Sequence, residues 1–215
     1  MFYRKYELFT KKECDFILEK LYTCNLWQDG RLSTGVQIKD RKNNNELKNS
    51  DLLLEINNII FKKMFDNKIM FNDILFNIVL PVIINKYETN EYYGWHYDST
   101  FMPNSIGKLS RMDYSFTIFL NDNYEGGELQ IVDKIVKGKQ GQIIIYDNKL
   151  RHQVHKIKKG IRYAAFGWMQ SIIEDIEIRK RCSKNFKYLD NCKNLDSPEY
   201  LIIKETTNLL LKKFM

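Results

Sequence analysis

Histidine is rare in this chain, with three in 215 residues. Any chemistry that needs imidazole must therefore use His96, His152 or His155. Proline is equally rare and alanine is scarce, while Lys, Asn and Ile are plentiful; we read this as compositional bias rather than chemistry. Four cysteines (Cys14, Cys24, Cys182, Cys192) form no C-x-x-C pair. Their spacing excludes the common zinc sites and reads as reduced, partly buried thiols. No apolar run is long enough to span a bilayer. The opening Met1-Phe-Tyr-Arg-Lys-Tyr-Glu7 lacks the apolar core of a signal peptide. The expectation is a soluble, cytoplasmic protein with no membrane partner. No internal repeat and no low-complexity linker is visible.

Apolar residues make up 44% of the chain and charged residues 28%, enough to bury one core. The net charge is +7 but unevenly placed. From Lys134 to Arg162 there are nine basic residues and one acid, Asp147. The plain reading is a solvated lysine face. The sharper one is a field that draws anionic ligands towards a site. Nucleic acid is disfavoured as a partner, because base-stacking aromatics are not interleaved with these lysines.

Thr10-Lys-Lys-Glu13 has the form of a capping box, with Phe9 and Cys14 placed as a staple. It predicts a helix to about Tyr22. Asn25 to Asn49 reads as loop plus a short strand. Ser50-Asp51 predicts a second helix to about Phe65. Short β runs follow at 74–80, 82–88, 92–98, 114–120, 127–132, 142–147, 152–157 and 161–170, with turns at Gly126-Gly127 and Lys137-Gly138. The tail returns to helix, and Ser197-Pro198 starts the last one. The expected fold class is α+β: a double-stranded β-helix, or jelly roll, with helices packed on one sheet. The expected organisation is a helical support region at 1–76, a barrel at 77–171 and a helical extension at 172–215.

The most informative residues are His96 and Asp98, then His152, then Arg162. Two histidines and one carboxylate can hold one face of a ferrous ion and leave the other open. An H-x-D pair on a strand puts both side chains on one face. Arg162 could clamp a dicarboxylate through its planar fork. His152 and His155 are three apart, so on a strand only one of them faces the metal. The blander reading of any single histidine is a satisfied polar side chain.

The stretch His152-Gln-Val154-His-Lys-Ile157-Lys-Lys-Gly160-Ile-Arg162 resembles the H-x-V-x-x-V-x-x-G-x-R signature of prolyl-4-hydroxylase-like, Fe(II)- and 2-oxoglutarate-dependent dioxygenases. Tyr87 to Asp98, and Arg111 to Leu120 followed by Tyr124 to Leu129, look like other barrel strands of that family. Trp27 to Arg31, Gly35 to Gln37, Lys42 to Leu47, Phe166 to Ser171 and Ser197 to Tyr200 resemble the PKHD-type hydroxylases, so the resemblance spans nearly the whole chain. Asn90 stands where the family often has Gly; Asn tolerates a left-handed backbone better than most residues.

The resemblance selects His152 over His155. It implies iron on His96, Asp98 and His152, which are also the catalytic residues. It implies 2-oxoglutarate on Arg162 and the Tyr87 hydroxyl, dioxygen as second cosubstrate, and ascorbate as reductant. The reaction implied is hydroxylation of a C–H bond, coupled to decarboxylation of 2-oxoglutarate to succinate. In related halogenases a small residue replaces the carboxylate, so Asp98 favours hydroxylation. Trp168 is expected to wall the site. Ser99 to Ser110 is expected to form a lid loop with Phe101, Met102 and Pro103 at its tip.

Two rival classes use the same histidines. A metal- or 2-oxoglutarate-binding sensor of the same barrel would need no turnover. A zinc hydrolase would have no use for Arg162. The prime substrate, whether protein, peptide (a peptidyl proline or other side chain) or small molecule, is not legible, nor is a homo-oligomeric state.

Overall fold

The computed structural model describes residues 3–103 and 106–214. Thr10 accepts from the Glu13 amide (3.3 Å) and the Glu13 carboxylate accepts from the Thr10 amide (2.8 Å), closing the capping box of helix Lys11–Tyr22. Ser50 caps helix Asp51–Asp66 by accepting from the Leu53 amide (3.3 Å). There Ile56, Ile60 and Met64 recur at helical spacing and are fully buried. A short helix that the sequence reading missed, Lys68–Ile74, follows. The Asn67 side chain caps it at the Met70 amide (2.9 Å). It ends at Leu75 in a left-handed conformation, so the first residues of the expected strand at 74–80 are helix end, and the strand itself is Phe76–Val79.

All strand pairings are antiparallel among the described residues. The large sheet runs Tyr3–Glu7, Gln142–Asp147, Tyr114–Phe119, Arg162–Ser171, Ile83–Tyr87, Asn45–Leu47, Trp27–Asp29, with Phe76–Val79 also on Arg162–Ser171. The smaller sheet runs Lys134–Val136, Leu129–Ile131, His152–Val154, Tyr92–His96, Lys42–Asn43. Residues 1–76 thus contribute strands to both sheets as well as helices. These strands are only two to five residues long, too short to show an alternating pattern.

Alternation in the large sheet separates two environments. Phe116, Ile118, Ile143, Ile145, Ala165 and Met169 face the helices and form the main core with Ile17, Leu21, Ile56 and Ile60. The alternate positions Thr117, Tyr146, Arg162, Ala164 and Phe166 line a cavity. Tyr93, His96, Leu129, His152 and Val154 of the smaller sheet line its opposite side.

Asp73 ties the N-terminal strand and the tail to this core. It accepts from Arg4 Nε (2.8 Å), Tyr6 Oη (2.6 Å) and Ser183 Oγ (2.6 Å) and pairs with Lys187 Nζ (3.1 Å). Burial alone would raise its pKa, but the bonds from Ser183, Tyr6 and Lys187 and the charge of Arg4 outweigh burial and hold it at about 2. Since the folded value lies below the unfolded one, the stabilisation is present above about pH 4 and lost as pH falls towards 2. Asp73→Asn should lower stability at pH 7 by roughly 1–2 kcal/mol. It should also flatten the acid limb of the stability curve between those pH values, measured by urea unfolding. An unaltered acid limb would exclude Asp73 as its source.

The expected lid at 99–110 is a two-stranded hairpin, Phe101–Pro103 on Leu109–Arg111; residues 104 and 105 lie outside the described residues. Met102 packs beside Leu80, Met112 and Trp168 rather than standing at a loop tip. The four cysteines are free. No helix among the described residues is long and apolar enough to cross a membrane.

Candidate active site

His96 ends strand Tyr92–His96, and Asp98 lies just beyond it. His152 opens strand His152–Val154 and is the cross-strand partner of His96. Between the pairs His152↔His96 and Val154↔Tyr93 the register shifts by one residue. The irregularity turns both Tyr93 and His96 to the cavity although they are an odd number apart. Their rings stack at 3.6 Å with 9° between planes.

One ligand atom each from His96, Asp98 and His152 lies within 4.8 Å of the others. His96 Nε2 is 3.9 Å from Asp98 Oδ1, and His152 Nε2 is 3.6 Å from Asp98 Oδ2. Both Nδ1 atoms face backbone carbonyls, of Gly94 (2.8 Å) and Leu150 (2.9 Å). Nδ1 is therefore the protonated nitrogen in each neutral ring, and the Nε2 lone pairs converge. Burial, and then the neighbouring His152, push the His96 pKa well below its ordinary value, so the ring is neutral at pH 7. Ser115 donates to Asp98 Oδ2 (2.5 Å) and fixes the carboxylate. This is the donor set that suits a ferrous ion. His155 stands apart, half-exposed, with Nε2 2.6 Å from Gln130 Oε1.

Arg162 lies deep in the same cavity, 1% exposed, between the rings of Tyr87 (5.3 Å) and Phe119 (5.2 Å). Among the described residues its Nε and Nη2 have no hydrogen-bond partner and no carboxylate pairs with it. A buried cation without a counter-ion is costly, so this geometry fits an anionic ligand. Tyr87, also fully buried, is the cross-strand neighbour of Arg162, and its hydroxyl accepts from Asn85 Nδ2 (3.2 Å). Burial raises the Tyr87 pKa, so the phenol keeps its proton and can donate.

The glycine before Arg162 has a physical reason. Gly160 has φ +83 and turns Ile157–Lys159 back into Arg162–Ser171. Asn90 has φ 73, the left-handed conformation its turn requires.

Sequence reasoning missed Asn85, Thr117 and Tyr146 on the cavity wall and Ser115 behind Asp98. A signal was available in Tyr114-Ser-Phe-Thr-Ile-Phe119, where polar residues alternate with the apolar core face. It also missed a buried pair, Lys42 Nζ to Glu46 Oε1 (2.5 Å). The Lys42 ammonium lies 4.9 Å from the centre of the Tyr93 ring, which stacks on His96. Burial lowers the Lys42 pKa and Glu46 opposes the shift. Trp168 does not line the cavity: Phe166 does, and Trp168 packs one step further out against it (5.3 Å, edge to face). The basic stretch is partly engaged with rings. Lys134, Arg151 and Lys156 lie over Tyr3, Trp95 and Tyr92.

A cavity between antiparallel sheets, carrying a two-histidine, one-carboxylate cluster and a buried unpaired arginine, defines an iron-dependent oxygenase of the 2-oxoglutarate class. The sequence profile of the 2OG-Fe(II) oxygenase superfamily matches residues 82–170, and the chain belongs to that superfamily. Within it, the chain belongs to the PKHD-type hydroxylases. A PKHD-type hydroxylase of Prochlorococcus marinus is 35% identical over 187 residues, covering 83% of this chain and 82% of the relative. The YbiX protein of Escherichia coli, also a PKHD-type hydroxylase, is 32% identical over 178 residues, 80% and 78% of the two chains. The fold is similar to that of the viral collagen prolyl hydroxylase of Paramecium bursaria Chlorella virus-1 in complex with 2OG (TM-score 0.53, 16% identity, 80% of this chain and 97% of that one). It is also similar to a Trichoplax adhaerens prolyl hydroxylase in complex with a hypoxia inducible factor peptide (TM-score 0.52, 15% identity, 83% and 85%). The protein is thus an Fe(II)- and 2-oxoglutarate-dependent dioxygenase.

Proposed function

We propose that this chain hydroxylates a C–H bond of a peptide or protein side chain, with His96, Asp98 and His152 holding Fe(II) and Arg162 and Tyr87 holding the far carboxylate of 2-oxoglutarate. The observation that carries this reading is the buried, unpaired Arg162 in the cavity of the His-Asp-His cluster. When bound, iron and 2-oxoglutarate supply oxidation of the substrate by dioxygen with release of succinate and carbon dioxide. The residues supply placement. The carbonyls of Gly94 and Leu150 orient the two imidazoles, and Ser115 orients Asp98. The guanidinium of Arg162 would offer a carboxylate two donors, and the Tyr87 hydroxyl would add a third. Leu129, Val154, Ala164 and Phe166 supply the apolar part of the wall and limit water.

In the same reading the two facing sheets are a double-stranded β-helix at 77–171, with 1–76 and 172–215 as its supports. The lining of one cavity by both sheets supports it. Peptidyl substrates are favoured because the Trichoplax neighbour is complexed with a peptide. Four free thiols suit a reducing, cytoplasmic setting.

Incubation with Fe(II), ascorbate and 2-oxoglutarate should consume dioxygen and release succinate slowly, and faster with a peptide substrate. Zn(II) in place of Fe(II) should give neither. Binding of iron and 2-oxoglutarate without succinate, with peptides and cell extract also tried, would replace the enzyme by a sensor.

A further inference from the structure

We propose that the prime substrate is an acidic peptide whose carboxylate docks between Arg41 and Arg151, in a groove beside the metal centre. This rests on the function proposed above. The groove has a volume of about 640 Å³ and is lined by Ile38, Arg41, Trp95, His96, Tyr97 and Arg151 among others, with no acidic side chain. His96 lines both the groove and the inner cavity, so the groove adjoins the reacting centre.

Three neighbouring segments build it. Trp95 and Tyr97, which flank His96, line it at the end of strand Tyr92–His96. Arg41 precedes Lys42, whose strand pairs with Tyr92–His96 on one side. Arg151 precedes His152, whose strand pairs with it on the other. Arg41 Nη1 donates to the Trp95 carbonyl (2.9 Å), which leaves its remaining N–H groups for a ligand. The Arg151 guanidinium lies 4.9 Å from the Trp95 ring centre. Neither arginine forms an ion pair among the described residues. Arg31, Arg111 and Arg179, by contrast, are each tied to a carboxylate. Two unneutralised planar cations in one groove, one over the Trp95 ring and one on its backbone carbonyl, are complementary to a carboxylate attached to a flat or apolar chain. Tyr97, 64% exposed, extends the apolar floor. A groove of this size with two cations fits a few residues of polypeptide. It lacks the row of cations that a phosphate backbone would need.

The test uses the full chain loaded with Fe(II) and 2-oxoglutarate under anaerobic conditions, so that binding is read without turnover. The probes are fluorescein-labelled peptides with capped ends, one pool carrying Glu and Asp at alternate positions and the other Lys at the same positions. Polarisation should show the acidic pool binding about tenfold more tightly than the basic pool, with an affinity that falls as salt rises. Arg41→Gln and Arg151→Gln should each weaken the acidic pool by about tenfold, and Arg151→Lys by less. Equal binding of both pools, no binding of either, or unchanged affinity in the Arg41→Gln, Arg151→Gln double variant would overturn the proposal. So would displacement of the acidic pool by oligo-dT at lower concentration than by unlabelled acidic peptide. Displacement by free glutamate as effective as by capped peptide would assign the site to a small amino acid and overturn the peptide. Calorimetric titration of the same samples with iron and 2-oxoglutarate separates the two levels. If both bind while acidic peptide does not, only the groove assignment fails. If neither binds, the proposed function fails.

Discussion

Alanine at Arg162 should raise the 2-oxoglutarate requirement by about a hundredfold or more while iron still binds. The guanidinium is sealed from water, has donors without partners and is flanked by the rings of Tyr87 and Phe119. A carboxylate brought to this depth must be paired, because an unpaired buried charge is costly. Removing one partner of a buried charge pair costs about 3–5 kcal/mol, and each 1.4 kcal/mol or so is a factor of ten. Arg162→Lys should keep part of the affinity, since a point charge retains the attraction but loses the fork. Tyr87→Phe, which removes one hydroxyl donor, should cost far less than either. The measurement is a 2-oxoglutarate titration of iron-loaded wild type and the three variants, with circular dichroism to verify folding. An Arg162→Ala protein that binds 2-oxoglutarate as tightly as wild type would place the anchor elsewhere.

His152→Ala should abolish ferrous binding, whereas His155→Ala should leave it nearly intact. The Nε2 of His152 converges on Asp98 and the His96 ring, while His155 is engaged by Gln130 outside the cavity. Only two ligands would remain in the first variant, and no other histidine among the described residues stands near enough to replace the third. Iron content after anaerobic loading and desalting checks this. Equal loss in both variants would be evidence against the assignment.

The His96, Asp98 and His152 cluster was legible because the H-x-D pair suggested two of its members and the resemblance to the prolyl-4-hydroxylase-like signature selected His152 over His155. His96 and Asp98 are two apart, and the distance from His152 through Gly160 to Arg162 matches a turn that needs a left-handed glycine. The first two helices were legible from their caps, whose hydrogen bonds are local. Helix Lys68–Ile74 was not, because its cap is a single Asn and its apolar residues run into those of the next strand. The walls of the cavity were not legible either. Asn85, Ser115, Thr117 and Tyr146 are ordinary strand residues until the sheets bring them together.

By itself, then, the sequence determined that a histidine and a carboxylate stand two apart, that a second histidine stands ten residues before an arginine, and that short strands run through this region, since these depend on residue type and near spacing. Only the tertiary structure decided the rest. The register shift that brings Tyr93 onto His96 depends on pairing with a strand some 60 residues away. The burial of Lys42 with Glu46 beside that ring depends on packing between the sheets. The isolation of Arg162 from carboxylates among the described residues does too, because burial and pairing belong to the packed chain and not to any segment of it.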